Sequence, residues 1–323
     1  MIDRRSLIVG LTCCSYGSPA VSSAPFLIAV LEGTSEEVAQ SYLDPFEAAL
    51  RERGHHVGRS ITFVRKFANG DAGRYPELAA QLVGLNPAVI VTGSTTATLA
   101  CQKLTTRVAI VSSNLTDPVG TGLISSLARP GGNITGVTVS FESLPSKLLH
   151  MLVEVLPTVK RVGVLSNSTE RAGTRQRDEA QRAAQQLGMT IIGVEVRSSA
   201  DFDGAFREFA GSGVSAVYAQ SSLLLRTQRH RFAEAAINYG IPIFCNAREI
   251  VEAGGLMSYG ADLRENYRRA GYFVDRILAG ASPATLPTEN PTRFSCSVNM
   301  RTARTLAVTL PPALLALADE VFD

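Results

Sequence analysis

Several signatures that would assign chemistry are missing from this sequence. The five cysteines form no framework. Cys13 and Cys14 fall in an N-terminal apolar run, and Cys101, Cys245 and Cys296 are an odd, widely spaced set, which excludes a disulfide scaffold and a cysteine zinc site. Cys245 and Cys296 lie within predicted strands and read as small buried hydrophobes. His55, His56, His150 and His230 show no metal-ligand spacing. No Gly-x-Gly-x-x-Gly follows a strand, so a dinucleotide site is unsupported. Gly93-Ser94-Thr95 is not a nucleophile elbow. Charge of one sign is also lacking: 31 basic side chains face 29 acidic ones, with no basic block. That disfavours a nucleic-acid binder. No segment is apolar and long enough to anchor the chain across a bilayer. These absences predict a protein without metal, cofactor or catalytic machinery.

What is present begins with export. Arg4-Arg5 precedes the apolar run Leu7 to Cys14, and small residues follow up to Ala24. A charged stretch, a short apolar stretch and a small-residue end match a secretory signal peptide over residues 1–24, with cleavage after Ala24. An arginine pair alone is weak evidence for twin-arginine export. Neither Cys13 nor Cys14 follows Gly, Ala or Ser, which argues against lipid anchoring. A periplasmic location is therefore expected.

From Phe26 onward, short apolar runs alternate with amphipathic helical runs. Strands are predicted at 26–30, 61–64, 88–91, 108–111, 134–139, 162–165, 191–196, 216–220 and 241–245. Helices are predicted at 36–53, from Pro76, and at 95–104, 144–156, 170–187, 226–239 and 263–278. In the last of these, Tyr267, Ala270, Gly271, Val274, Ile277 and Leu278 form one stripe, Asp262 and Glu265 make a capping-box-like start, and Gly280 a stop. Alternating β and α elements with near-continuous apolar strands imply α/β parallel sheets covered by helices on both faces. There are too many strands for one doubly wound sheet, so two lobes are expected, with a break near Ser140-Phe141-Glu142.

Specific segments then carry a resemblance. Asp117-Pro118-Val119-Gly120, Leu127-Ala128-Arg129-Pro130-Gly131-Gly132-Asn133-Ile134-Thr135-Gly136, Gly254 to Gly260, Tyr272 to Gly280 and Leu310 to Val321 occur in order along the chain. Together they resemble the ABC-transporter substrate-binding family that includes tryptophan/tyrosine-importer binding proteins. The resemblance implies a type I periplasmic-binding-protein fold: two Rossmann-like lobes, a hinge of crossing strands and a ligand between them. By that analogy lobe one is 26–140 plus 255–281, and lobe two is 141–254 plus 282–323. It also implies an ABC permease with its ATPase as partner, with no contact to the membrane except through that permease or an alternative lipid anchor, and a monomer as the working unit. Asn167 lacks the proline that follows it in many relatives, and the loop Leu31 to Thr34 differs from their acidic loops. Both departures bear on ligand identity.

In open parallel sheets ligands bind beyond the carboxyl ends of the strands. Candidate ligand-binding residues in lobe one are Glu32, Ser94, Thr95, Thr96 and Asp117. The hydroxyls and helix-start N–H groups of 94–96 suit a carboxylate, though Ser94 or Thr95 can equally serve as a cap. Asp117 suits an ammonium or, with Pro118, a turn. Facing them are Asn167, Gln220, Ser221 and Asn246, neutral groups able to orient a polar ligand. Phe141 and Tyr259 are aromatic candidates, against the commoner core role. Arg248 and Glu249 read as a local ion pair. The expected function is capture of a small ligand, an amino acid or other carboxylate, by hinge closure for delivery to the permease. A sensory receptor with the same cleft is the alternative. Catalysis by Glu32 and Asp117 as paired carboxylates has no supporting motif.

Overall fold

The computed structural model describes residues 24–139, 144–168, 173–220 and 222–323. The expected signal peptide up to Ser23, the expected hinge residue Phe141 and the candidate Ser221 lie outside them.

The first sheet is built from β1 (Phe26–Glu32), β2 (Ile61–Phe67), β3 (Val89–Thr92), β4 (Ala109–Leu115) and β5 (Ile134–Thr138), separated by α1 (Glu36–Glu52), α2 (Tyr75–Gly84) and α3 (Thr95–Gln102). Its order is β2-β1-β3-β4-β5, parallel throughout. Alternation along β1 shows why it is covered on both faces. Ile28 and Val30 enter one core with Phe46 of α1, and Ala29 and Leu31 enter another with Leu78 of α2.

The second half continues with α4 (Leu144–Val155), β6 (Arg161–Asn167), α5 (Gly173–Gln186), β7 (Thr190–Val196), α6 (Phe202–Gly211), β8 (Ala216–Ala219), α7 (Leu223–Thr227), α8 (Arg229–Asn238), β9 (Ile243–Cys245), α9 (Arg248–Glu252), β10 (Met257–Ala261), α10 (Leu263–Leu278), β11 (Phe294–Asn299), α11 (Met300–Thr305), α12 (Pro312–Leu317) and β12 (Glu320–Phe322). The sheet order is β12-β11-β10-β9-β8-β6-β7. Only the β10–β11 pair is antiparallel among these pairings. Val162 and Val164 of β6 face the core containing α4, whereas Leu165 faces the core containing α6 and α8. Two parallel-dominated sheets with helices on both faces are the two-lobed α/β fold expected from the sequence.

One helix returns to the first half. Asp262 caps α10, its Oδ1 accepting from the N–H groups of Arg264 at 3.0 Å and Glu265 at 3.3 Å. The buried stripe Tyr267, Ala270, Phe273 and Val274 packs with α1 and the first sheet. Gly271 makes the approach close: a Cβ there would stand 2.9 Å from Cβ of Ala49 and 3.1 Å from the carbonyl oxygen of Phe46. Beyond α10, the Glu289 N–H donates to Gly136 and its carbonyl accepts from Thr138. The chain thus passes between the halves three times: between β5 and α4, between β10 and α10, and between Glu289 and β11. The expected return segment 255–281 is therefore shifted. β10 hydrogen-bonds within the second sheet, so the return begins at Asp262, and contacts with the first half run on to Asn290, whose Oδ1 accepts from the Thr138 hydroxyl at 2.9 Å. The expected single helix 226–239 is two, α7 and α8, because the backbone leaves the helix at Gln228 (φ −102, ψ 26).

Candidate functional site

The carboxyl ends of β1, β3 and β4 face the second half and surround a cavity of about 20 Å³. Glu32, Gly33 and Thr34 come from the end of β1, Gly93 from the end of β3 and Asn114 from β4; α7 of the other half contributes Leu223 and Arg226. Tyr42 of α1 and Tyr267 of α10 complete the wall. The halves are in contact over it. A Cβ on Gly33 would lie 2.7 Å from Cδ1 of Leu223. Arg229 reaches Glu37 of α1 at 2.8 Å.

Glu32 is the chemical centre. It is 3 % exposed, and the Tyr267 hydroxyl donates to its Oε1 at 2.6 Å. Gly93 leaves the space: a Cβ at that position would stand 2.6 Å from the Tyr267 hydroxyl and 2.8 Å from the Glu32 carboxyl carbon. Burial pushes the Glu32 carboxyl up to about 7, opposed by the Tyr267 hydrogen bond and the Arg226 charge. Burial also drives the Tyr267 hydroxyl well above its usual range, helped by the neighbouring Glu32. Taking a carboxylate out of water disfavours its charged form, which is the sign seen here.

Arg226 links the halves. Its Nη2 donates to the Tyr42 hydroxyl of the first half and to Glu249 of the second, the latter at 3.2 Å. Its guanidinium lies 5.3 Å from the centroid of the Tyr42 ring, and Tyr42 stacks on Tyr267 with centroids 5.4 Å apart. Burial pushes Glu249 up to about 7 as well. The expected local Arg248–Glu249 pair does not form. Arg248 pairs with Glu252 one turn along at 2.6 Å and with Glu320 of β12, while Glu249 turns inward to Arg226.

A larger cavity of about 140 Å³ shares Tyr42 and Leu263 with this wall. Asn246, Arg248, Arg264 and Glu320 line it. Its guanidiniums are engaged: Arg248 and Arg264 pair with Glu320, and Arg293, which also lines it, with Asp262 and Asp319.

The other sequence candidates divide. Ser94 is the N-cap of α3: its Oγ accepts from the Ala97 N–H at 3.2 Å and lies 3.2 Å from the Tyr75 hydroxyl. Thr95 Oγ1 accepts from the Thr116 N–H at 2.8 Å, pinning the loop after β4, and Thr96 is exposed. Asp117 sits in a left-handed turn (φ 45) and accepts from the Gly120 N–H at 3.1 Å, a turn role. Asn167 and Gln220 are buried at the ends of β6 and β8. Tyr259 lies inside β10, packs against the α4 core and stacks on Phe294. Of the sequence candidates, Glu32 lines the small cavity and Asn246 the larger one, and the small cavity adds Tyr42, Asn114, Leu223, Arg226 and Tyr267. The missed residues carry no local signal, because Arg226 meets Tyr42 across 184 positions and Tyr267 meets Glu32 across 235. The free thiols of Cys101, Cys245 and Cys296 are buried, as the sequence implied for the last two.

The comparisons with known proteins agree with this architecture. The "Tyrosine-binding protein" of Clostridioides difficile (strain R20291) is 25% identical over 278 residues, 85% of this chain and 80% of that protein. The crystal structure of an ABC domain in complex with L-Trp, from Streptococcus pneumonia, superposes with a TM-score of 0.85 at 24% identity, covering 93% of this chain and 100% of the other. A conserved domain protein from Vibrio cholerae superposes at 0.86 with 26% identity, covering 92% and 100%. A family profile described as "ABC transporter substrate binding protein" matches residues 27–322, nearly the whole length beyond the N-terminal segment, and the chain belongs to that family.

Proposed function

We propose that this chain is the extracytoplasmic receptor of an ABC importer, that it captures an amino acid between its halves, and that it hands the ligand to a membrane permease. The observation that carries the reading is the cleft itself, where Glu32 of one half and Arg226 of the other are buried against each other's walls. A group held by both halves favours the closed form over the open one, and that difference in affinity is what drives closure. The halves that move are residues 26–139 with 262–290, against 144–261 with 291–323. The relatives named for tyrosine and found with L-Trp make aromatic amino acids the first ligands to try. A cavity of about 20 Å³ holds one small group and not a whole amino acid, so Leu223 and Arg226 must withdraw for a ligand to enter. Asn167, Gln220 and Asn246, at strand ends of the second half, are the further groups we assign to the ligand.

The test is calorimetry of the mature protein with the twenty amino acids, paired with small-angle scattering. Tight binding of at least one, with a fall in radius of gyration on addition, is expected. Heat from none of them, or binding with no change in dimension of a protein that scatters as an open form, would overturn the reading.

A further inference from the structure

We propose that the small cavity at the end of β1 is the receptor for the ligand's ammonium group, and that taking up this group expels a proton held on Glu32. The inference deepens the amino-acid reading and rests on it.

The first argument is charge balance. The small cavity is lined, among the described residues, by one carboxyl group, Glu32, and one guanidinium, Arg226, whose charge acts on Glu32 but is shared with Glu249 of the second half. Arg226 ion-pairs with Glu249 at 3.2 Å. Glu32 is held by a neutral donor, the Tyr267 hydroxyl, at 2.6 Å. An unmatched buried negative charge costs several kcal/mol, and a carboxyl in that position avoids the cost by keeping its proton. Burial pushes the Glu32 carboxyl up to about 7, in agreement. The other groups facing Glu32 are Tyr42 of α1 and Tyr267 of α10, both phenols, and Arg226 of α7. Tyr75 of α2 reaches Gly33 next to it. From β4 the neighbour is the uncharged Asn114.

The second argument is the lining. Thr34 is 4 % exposed, and its Oγ1 has no hydrogen-bond partner among the described residues. It borders the same cavity as Glu32 and Asn114. A carboxylate, a hydroxyl oxygen and an amide oxygen are three acceptors, and a primary ammonium brings three N–H donors. A space of about 20 Å³ is of the size for one such group. The step balances as a proton exchange: neutral Glu32 and the ligand's ammonium become a carboxylate–ammonium pair plus one proton released to the buffer. No bond other than the O–H of Glu32 is broken.

The experiment is calorimetry of the full mature protein with L-tyrosine, L-tryptophan and the other amino acids at pH 6.5. Each is run in two buffers of different ionisation enthalpy and repeated at pH 8.5. The best binder is compared with its deaminated analogue, for instance 3-(4-hydroxyphenyl)propionate for L-tyrosine. The expected result is release of a large fraction of one proton at pH 6.5 that falls toward zero at pH 8.5. Affinity should be lost by about 100-fold without the amine, and the loss should shrink to about tenfold or less in Glu32→Gln. Binding with no buffer dependence at either pH, or an undiminished demand for the amine in a folded Glu32→Gln protein, overturns this proposal and leaves the amino-acid reading intact. Should Glu32→Gln fail to fold, the wild-type buffer series decides alone. Binding of no amino acid at all overturns both.

Discussion

The Tyr267 hydroxyl donates to Glu32 Oε1 at 2.6 Å, joining α10 of the return segment to the end of β1 across 235 positions of sequence. This single bond ties the piece of chain that crosses the hinge to the floor of the cleft. It also opposes the burial of Glu32, so its worth depends on whether that carboxyl is charged.

Tyr267→Phe tests the dependence. The variant keeps the ring that stacks on Tyr42 and loses only the donor. Hydrogen bonds to a charged partner are worth about 1.5–3 kcal/mol and neutral ones about 0.5–1.5. Glu32 is largely protonated below about 7. Urea denaturation is therefore expected to show a loss near 1 kcal/mol at pH 5.5 that grows to about 2 at pH 8. An equal loss at both pH values would show that Glu32 does not change charge in the folded protein.

The wild-type stability should also fall with rising pH. Glu32 and Glu249 are raised from 4.5 to about 7 in the folded protein. A carboxyl raised on folding binds more protons folded than unfolded between those two values, so stability is greatest below the lower value. It declines as pH climbs to the upper one and levels off beyond it. A shift of that size corresponds to at most roughly 3.5 kcal/mol per group. Melting temperatures of the ligand-free protein are expected to drop from pH 5 to pH 7.5, and by less in Glu32→Gln. A flat or rising profile over that window would contradict the assignment of either buried acid.

How much of this the sequence carried depends on whether a feature is local. α10 was legible to its ends, because Asp262, the apolar stripe and Gly280 lie within one helix and each acts through near neighbours. Ser94 and Asp117 were legible as a cap and a turn for the same reason. The crossing points were not. β10 is not among the strands expected from the sequence, and only its pairing with β9 and β11 shows that it belongs to the second sheet. Arg226 was hidden twice. It lies in α7, which runs in sequence into the amphipathic pattern of α8, and its partners Tyr42 and Glu249 are set by the docking of the halves and not by spacing. Glu32 was recognisable as a strand-end acid, but its burial depends on Tyr267 and Gly93, which only the fold brings to it.

Gly93→Ala follows from that packing. The added methyl would stand 2.6 Å from the Tyr267 hydroxyl and 2.8 Å from the Glu32 carboxyl carbon, inside van der Waals contact with both. Forcing a methyl into a filled site costs typically 1–3 kcal/mol. The carboxyl cannot stay where it is, so ligand affinity is expected to fall by about tenfold or more, with a loss of stability in that range. Calorimetry and denaturation of the same preparation separate the two effects. Unchanged affinity would place the ligand away from Glu32.

The bridge between Arg229 and Glu37 is expected to contribute little. It spans the halves at 2.8 Å, but the Glu37 side chain is 80% exposed. Exposed pairs are worth about 0–1 kcal/mol and are screened by salt. Arg229→Gln should therefore weaken ligand binding by less than about fivefold, with the difference fading at high salt. A larger effect that persists at high salt would make this bridge, and not the buried wall, the latch that holds the closed form.

The buried pair Arg226–Glu249 should behave in the opposite way. Their side chains are 12% and 9% exposed. Removing one partner of such a pair typically costs about 3–5 kcal/mol, because the other is left charged without compensation, whereas replacing both is far milder. Arg226→Met is expected to be strongly destabilising at pH 8. Glu249→Gln should cost less, because the amide oxygen can still accept from the Arg226 guanidinium, which also keeps its hydrogen bond to Tyr42. Arg226→Met with Glu249→Gln should be more stable than the sum of the single losses predicts by more than 1 kcal/mol, as contacting residues commonly are. The penalty of Arg226→Met should also relax at pH 6, where Glu249, raised to about 7, can take a proton. Denaturation of the four proteins at both pH values measures the coupling directly. Strict additivity with no pH effect would mean that the guanidinium serves the cleft through its contact with Tyr42 alone.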